Sequence, residues 1–340
     1  MKIDTMLAGL EEAPSHARRL EQLGVDGAFT FEGPHDVFTP LILAAGATST
    51  LELATNVAIA FPRNPVQLAH QAYDLQLLSR GRFVLGLGSQ IRTQVEKRYG
   101  AAFDRPVARM RDMVGALRAI FAAWETGEQL DFRGAFWSHT LMPPLFNPGP
   151  NPYGPPPIAL GGLGPQMLRL AAEVADGVLV MPFNTATHFL TRSLPAIDEG
   201  LVRGGRDRSS LTVTGEVIVC CGRSDDEMQA ARLAGRWLLS FYASTPAYRP
   251  VLASEGWEDL QPELNSLSKS GRWDEMPGLI DDRMLRALAA VGSPKEVALD
   301  IAERFAGRVD RVAFYTPYVI SEETLGEVVA ALASEAPRRS

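Results

Sequence analysis

The chain has 340 residues, 46% of them hydrophobic and 21% charged, which is the composition of an ordinary globular protein. Its formal net charge of −7 argues against a nucleic-acid partner. No apolar run is long enough to span a bilayer, and the first residues lack the apolar core of a signal peptide, so we expect a cytoplasmic protein without a membrane partner. The cysteines, Cys220 and Cys221, are adjacent, and no His, Cys or carboxylate pair has metal-ligand spacing, so we predict no disulfide framework and no metal site.

Strand and helix patterns alternate along the chain. Short apolar runs predict eight strands, and helical periodicity separates most of them. The predicted strands cover residues 3–7, 27–31, 53–61, 83–87, 158–160, 178–181, 211–221 and 309–315. This order predicts a (β/α)₈ TIM barrel. A doubly wound open sheet is the alternative, but no Gly-x-Gly-x-x-Gly follows the first strand.

Residues 225–300, between the seventh and eighth strands, predict a mostly helical insertion. We expect it to lie within a single barrel domain that comprises residues 1–340. Its aromatic residues serve its own packing or a subunit contact, or they belong to a lid over the barrel mouth. The sequence leaves both interpretations open.

Two glycine-rich segments follow predicted strands. Gly86-Leu87-Gly88-Ser89 ends the fourth strand, where exposed backbone at a carboxyl end can admit a flat or phosphorylated ligand. Gly161-Gly162-Leu163-Gly164-Pro165 leads from the fifth strand into a helix, whose free N–H groups could hold a phosphate. A tight turn without any ligand is the alternative for each segment.

The segments 78–88 and 156–165, in that order, resemble the luciferase-like monooxygenase superfamily. More closely, the chain is similar to the coenzyme F420-dependent branch of that superfamily. Residues 23–27, 54–57 and 175–177 fit the same pattern. The resemblance covers residues 1–181 well and the last strand more loosely, and it does not cover the insertion.

This resemblance implies a flavin or deazaflavin lying across the carboxyl ends of the strands. It also implies a non-prolyl cis peptide in the third strand that backs the ring, here Asn56–Val57. The cofactor phosphate would lie on the second glycine segment. The implied cofactor-binding residues are Asn56, Val57, Gly88, Ser89, Arg92, Gly161, Gly162, Leu163 and Gly164.

The chain departs from the family pattern after the second strand. Many deazaflavin-dependent members have an acid followed by His there, whereas this chain has Glu32-Gly33, with His35 two residues later. We predict that Glu32 accepts a hydrogen bond from the ring, unless it only caps a helix. We predict that His35 donates or accepts a proton, because imidazole titrates near neutrality.

Other departures bear on the substrate. Ser89 stands where members acting on a sugar phosphate have a catalytic Glu, and no Lys follows the sixth strand, so we do not expect a sugar-phosphate dehydrogenase. The resemblance implies hydride transfer between F420 and a small organic substrate. We expect this substrate in an apolar pocket walled by Phe31, Phe38, Phe61 and Phe183.

Two alternatives stay open. An FMN-dependent luciferase-like monooxygenase keeps the fold and changes the cofactor. A non-catalytic flavin-binding or interaction protein is the other alternative, because Gly33 and Ser89 replace family residues. We expect a homodimer by analogy with relatives.

Overall fold

The computed structural model describes residues 1–7, 9–305 and 307–335, and its central feature is a closed barrel of eight parallel strands. The ring closes because the last strand pairs with both the seventh and the first strand. The third strand consists of two pieces, β3 and β4. The barrel strands are β1 (Lys2–Met6), β2 (Gly27–Thr30), β3 (Glu52–Thr55) with β4 (Ala58–Ile59), β5 (Phe83–Gly88), β8 (Ile158–Gly162), β9 (Gly177–Val180), β10 (Thr212–Cys221) and β12 (Arg311–Tyr315). The predicted TIM barrel is confirmed.

Helices connect these strands and surround the barrel. The helices are α1 (Ala13–Gln22), α2 (Thr39–Ala45), α3 (Pro65–Leu78), α4 (Pro106–Thr126), α5 (Pro165–Val174), α6 (Ala186–His188), α7 (Leu194–Gly204), α8 (Asp225–Ala243), α9 (Arg249–Ala253), α10 (Leu260–Lys269), α11 (Asp282–Leu288), α12 (Pro294–Phe305) and α13 (Glu322–Glu335). A small antiparallel hairpin, β6 (Phe132–Arg133) and β7 (Ser138–His139), lies between α4 and β8. None of the helices in the described ranges combines the length and apolar character that crossing a membrane requires.

Local sequence signals set the ends of α3. The Asn64 side chain accepts a hydrogen bond from the Val66 N–H at 2.9 Å, and Pro65 occupies the first helical position. At the other end Gly81 has φ +84°, and its N–H donates to the carbonyl of Gln76. The chain therefore turns back directly into β5.

The segment between β10 and β12 contains α8 to α12 and a short strand that the sequence did not predict. This strand, β11 (Ala289–Gly292), pairs with the carboxyl-terminal half of β10. Its four residues are too few to show a period, which explains why the sequence analysis missed it. Helix α12 packs against β10 and α13, in the position of a regular barrel helix.

The buried residues form two apolar clusters. The larger cluster fills the space between the barrel and its helices. The second joins the α8–α11 region to Phe183, Ile218 and Cys220 of the barrel, and Leu163 and Tyr315 pack against it. The inserted helices therefore lie against the carboxyl ends of several strands. That residues 1–340 make a single domain stays a prediction.

A charged network joins the first and last strands at the amino-terminal end of the barrel. Arg311 in β12 donates from Nε to Asp4 Oδ2 at 2.8 Å and from Nη1 to Glu52 Oε2 at 2.7 Å. Burial raises the pKa of Asp4, and Arg311 opposes that effect. Arg311 thus compensates the negative charge of the buried Asp4 carboxylate where the barrel closes.

We expect Arg311→Met to lower the free energy of unfolding by about 3 kcal/mol or more, because Asp4 would keep a buried charge without its partner. Urea unfolding monitored by circular dichroism measures this change. The double variant Asp4→Asn/Arg311→Met removes both charges and should recover part of the loss. Equal stability of the Arg311→Met variant and the wild type would contradict this account.

Candidate active site at the carboxyl ends of the strands

The third barrel strand is interrupted at the barrel mouth. Asn56 and Val57 separate β3 from β4, and the peptide bond between them is cis, as the resemblance implied. The Thr55 hydroxyl donates to the Gly86 carbonyl at 2.7 Å and accepts from the Gly86 N–H at 2.9 Å. The Asn56 N–H donates to the Thr30 carbonyl at 2.6 Å. The neighbouring strands on both sides thus hold the interruption in place.

Three glycines make room for this interruption. A Cβ atom at Gly86 would lie 1.9 Å from the Thr55 carbonyl oxygen. A Cβ at Gly88 would lie 2.4 Å from Val57 Cγ2, and one at Gly161 would lie 2.9 Å from Val57 Cγ1. The absence of side chains at these glycines therefore allows the third strand to approach its neighbours closely. A cofactor role for Gly88 and Gly161 stays a prediction, and it would use their backbone atoms.

The space in front of α5 differs from these crowded positions. A Cβ at Gly164 would meet nothing within 4 Å, and its φ of −70° suits any residue. A Cβ at Gly162 would instead face Met167 and Leu168, and Leu163 packs against the inserted helices. Within the predicted phosphate-binding segment, Gly164 is thus the residue with open space where a side chain would point. It lies at the positive end of helix α5.

Glu32 forms a two-contact ion pair with Arg63. Its Oε2 lies 2.7 Å from Arg63 Nη1, and Arg63 Nη2 donates to Oε1 at 3.0 Å. The carboxylate also accepts from the Ile59 N–H at 3.1 Å, so it ties the loop after β2 to β4. Glu32 is not a helix cap, because Asp36 accepts the N–H bonds of Phe38 and Thr39 at the start of α2. A contact between Glu32 and the cofactor ring stays a prediction.

The other predicted polar residues lie in loops at the same end of the barrel. His35 is exposed in the loop after β2, and Ser89 is half-buried just after β5. Arg92 is exposed, pairs with Glu96 at 2.7 Å and lies over the Phe103 ring. Within the described ranges neither His35 nor Arg92 forms a hydrogen bond or ion pair with Glu32. The structure thus places these residues at the mouth without joining them.

Among the described residues, the four phenylalanines expected to wall the substrate pocket have ring contacts with other residues and not with one another. Phe38 packs on Phe83, with ring centroids 6.4 Å apart, and Phe61 packs on Phe103 at 5.6 Å. A substrate pocket shared by the four rings therefore stays a prediction. Phe31 instead lies 5.7 Å from Tyr315.

Phe183, which follows β9, packs against two tyrosines of the segment between β10 and β12. The ring of Phe183 lies 5.9 Å from Tyr242 of α8 and 5.9 Å from Tyr248. Tyr242 and Tyr315 both pack against the second apolar cluster. Aromatic residues from the barrel and from the inserted helices therefore meet at the mouth.

Glu216 is a buried acid that the sequence analysis missed. It is buried in the middle of β10, beside the Asn56 carboxamide. No ion pair to Glu216 occurs in the described part of the chain. Burial raises the pKa of Glu216 to about 8, although the Asn56 carboxamide opposes this shift, so the carboxyl is mostly protonated at neutral pH. A single acid in the apolar run 213–221 is the sequence signal that could have found it.

Comparison with known proteins agrees with this architecture. The family model described as luciferase-like monooxygenase matches residues 2–311. The chain belongs to the luciferase-like monooxygenase family.

Individual relatives extend this result. The chain is 47% identical over 313 residues to an uncharacterized protein of Mycobacterium tuberculosis, which covers 92% of each. The structure of a coenzyme F420-dependent tetrahydromethanopterin reductase from Methanopyrus kandleri has a TM-score of 0.82 at 20% identity and covers 99% of each chain. A type II Baeyer–Villiger monooxygenase from Pseudomonas putida in complex with FMN has a TM-score of 0.69 at 18% identity, again covering 99% of each. At these identities the two structures show a shared fold, and they differ in cofactor.

For this luciferase-like protein, we expect Gly88→Ala to lower the unfolding temperature, because the new methyl group overlaps Val57. Overpacking of this kind costs about 1–3 kcal/mol. Val57→Ala removes the overlapping methyl groups, so the double variant should be more stable than the Gly88→Ala single variant. Gly164→Ser, at an open position where Ser is a favoured helix cap, is the control and should not melt below the wild type. Additive effects in this double-mutant cycle would contradict the packing account.

Glu216 should make the stability of the protein depend on pH. The folded carboxyl keeps its proton up to about pH 8, whereas the unfolded one releases it near its ordinary value, so stability falls as the pH rises between these values. The slope should approach about 1.4 kcal/mol per pH unit. Glu216→Gln, a neutral side chain of similar shape, should remove this slope in urea unfolding measured across that range. The same slope in both proteins would show that Glu216 is not the group responsible.

Proposed function

We propose that the protein is a coenzyme F420-dependent oxidoreductase that transfers a hydride between the deazaflavin and a small organic substrate. The observation that carries the proposal is the mouth of the barrel, where the interrupted third strand lies near the open amino-terminal end of α5. Family membership and the fold shared with an F420-dependent reductase support it.

The residues at the mouth fit an anionic cofactor with a flat ring. The Asn56–Val57 segment would back the ring, with Gly88, Ser89 and Glu32 at its edges. The N–H groups at Gly164 and at the start of α5 would hold the phosphate, helped by the helix dipole. When bound, the deazaflavin supplies or accepts the hydride, and the protein orients it and excludes water.

A basic loop favours F420 over FMN. Residues 92–109 carry five cationic side chains against two acidic ones, although the whole chain has a net charge of −7. The cations are Arg92, Lys97, Arg98, Arg105 and Arg109, and the acids are Glu96 and Asp104. This basic loop follows β5 at the carboxyl end of the barrel and includes the first turn of α4, where Arg109 lies. F420 carries carboxylates beyond its phosphate and FMN does not, so the longer anionic tail gains more from this loop.

FMN-dependent monooxygenation is the second candidate. The FMN-bound monooxygenase shares the fold, and a phosphate at the start of α5 would serve FMN equally well. We include a homodimer in the proposal, supported by the exposed apolar side chains of Ile42, Leu43, Leu77 and Leu78 on the packed helices α2 and α3.

Binding of F420 and FMN to the purified protein, followed by fluorescence titration, tests the proposal. We expect F420 to bind more tightly than FMN. Tight FMN binding without F420 binding would favour the monooxygenase, and binding of neither would favour a non-catalytic role.

A charge change at Gly164 tests the phosphate position. Gly164→Asp should weaken F420 binding about tenfold or more, because a repulsion of about 1.4 kcal/mol corresponds to that factor. The fold should tolerate the change, since the position is open and Asp is a favoured helix cap. Gly164→Asn has the same shape without the charge and should bind like the wild type. If the Asp and Asn variants bind F420 equally well, the phosphate does not lie at Gly164.

A further inference from the structure

The interior of the barrel contains a cavity at the end opposite to the candidate active site. The cavity has a volume of about 490 Å³, and its lining includes the exposed residues Lys2, Thr50 and Thr212 near the starts of three strands. Furthest along the strands, its lining includes Asn56, which is buried. The cavity therefore opens at the amino-terminal face and extends toward the peptide that interrupts the third strand.

Small residues on the inner face of the barrel create this space. Leu53 belongs to the apolar cluster between the barrel and its helices, so its neighbour Ala54 faces inside, because side chains alternate along a strand. Ala54 and Val84 lie within strands and are nevertheless partly exposed. The interior of a TIM barrel is usually filled by layers of bulky branched side chains, and this barrel departs from that rule. The small inner residues that line the cavity are Gly27, Ala54, Val84, Ala159, Gly177 and Ala313.

The closed end of the cavity offers hydrogen-bonding groups. The Thr214 side chain and the Asn56 carboxamide line it, and both residues are otherwise buried. The Thr214 hydroxyl has no hydrogen-bond partner among the described residues. A buried hydroxyl without a partner costs free energy, which a bound molecule with a donor or an acceptor recovers. The cavity thus combines apolar walls with a polar end, as small-molecule sites do.

The charged groups at the entrance are engaged with other protein groups. Lys2 and Arg311 both pair with Glu52, and Arg311 also pairs with Asp4. Arg82 donates to three backbone carbonyl oxygens. An anion in the cavity would find no free cation among these groups, and a cation would have to compete with Lys2 and Arg311 for the acids. Because a buried charge without a partner is costly, the cavity suits an uncharged ligand.

We propose that the interior of the barrel is a second binding site, which takes a small uncharged organic molecule with one hydrogen-bonding head group. The molecule enters from the amino-terminal face. Its apolar part lies against Phe29 and the small inner residues, and its head group meets Asn56 and Thr214. The volume falls within the range of about 300–1,000 Å³ that is typical of small-molecule sites.

Asn56 connects this second site to the mouth of the barrel. Its side chain lines the cavity, and its peptide bond to Val57 is part of the segment on which the deazaflavin ring would lie. A molecule in the cavity should therefore change the affinity for F420, and F420 should change the affinity for that molecule by the same factor. This coupling rests on the proposed function, whereas the second site itself does not.

Benzamide, benzoate and benzamidine are suitable probes, because they share a shape and differ in charge. Benzamide should bind to the cofactor-free protein with a Kd of about 1 mM or lower in a ligand-observed NMR titration. Benzoate and benzamidine should bind at least about tenfold more weakly, because their charges lose water without gaining a free partner.

Two variants test where benzamide binds. Ala54→Leu fills the space in front of a partly exposed alanine and should weaken benzamide binding about tenfold or more. Ala230→Leu makes the same change at an exposed position of α8 and should bind like the wild type. Thr214→Val keeps the side-chain shape and removes the hydroxyl, so it should also weaken binding. Thr214→Val keeps the test decisive if Ala54→Leu does not fold, which circular dichroism checks.

F420 titrations with and without saturating benzamide measure the coupling. The two affinities should differ about fivefold or more in the wild type, which is the lower range of typical couplings. Thr214→Val, examined at the same benzamide concentration, should show a smaller difference.

The possible failures are distinguishable. If benzamide does not bind, or if Thr214→Val and every folded Ala54→Leu sample bind it like the wild type, the second site is overturned. Tighter binding of benzamidine than of benzamide would overturn the assignment of an uncharged ligand. Equal F420 affinity with and without benzamide would overturn the coupling and leave the second site in place. If F420 does not bind at all, the proposed function fails together with the coupling, and benzamide binding still decides the second site.

Discussion

The candidate site depends on the close approach of the third strand to its neighbours. At Gly86, Gly88 and Gly161 the backbone and side chain of residues 55–57 occupy the space where Cβ atoms would lie. Overlaps this short cannot be relieved by rotating a side chain when the opposing atom is a backbone oxygen, as at Gly86. The glycines therefore determine the path of the third strand, and that path forms one side of the barrel mouth.

The buried carboxyl groups at the two ends of the barrel differ in their partners. At the amino-terminal end, Arg311 holds Asp4 and Glu52 in compensated pairs across the closing strands. Toward the carboxyl end, Glu216 is buried beside Asn56 and forms no ion pair among the described residues. A buried acid without a cation costs stability, whereas an uncharged acid beside a cleft can tune the groups around it. The arrangement fits the general rule that barrel chemistry lies at the carboxyl ends of the strands.

The sequence was sufficient to predict the barrel, because eight short apolar runs separated by helical periods admit few other folds. It also located the start of α3 at Asn64 and, through the family resemblance, the cis peptide at Asn56–Val57. It did not show why the glycines are needed. A Gly-rich strand end looks the same in the sequence whether a ligand or another strand fills the space, and in the folded protein Val57 fills it at Gly88 and Gly161.

Contacts between side chains that are far apart in the chain could also not be predicted from the sequence. Phe38 and Phe61 follow strands at the mouth, yet they pack on Phe83 and Phe103 rather than with each other. Tyr242 lies in a region that the family resemblance did not cover, and its ring contact with Phe183 depends on how the inserted helices pack. Glu216 was visible as one acid in an apolar strand, but its inward direction and its place beside Asn56 required the strand register.

A crystal structure of the protein soaked with F420 tests the central claim most directly. The account predicts the deazaflavin ring against the Asn56–Val57 segment and the phosphate at the N–H groups before α5, next to Gly164. A ring bound away from the third strand, or a phosphate bound at another loop while the start of α5 holds only water, would contradict it.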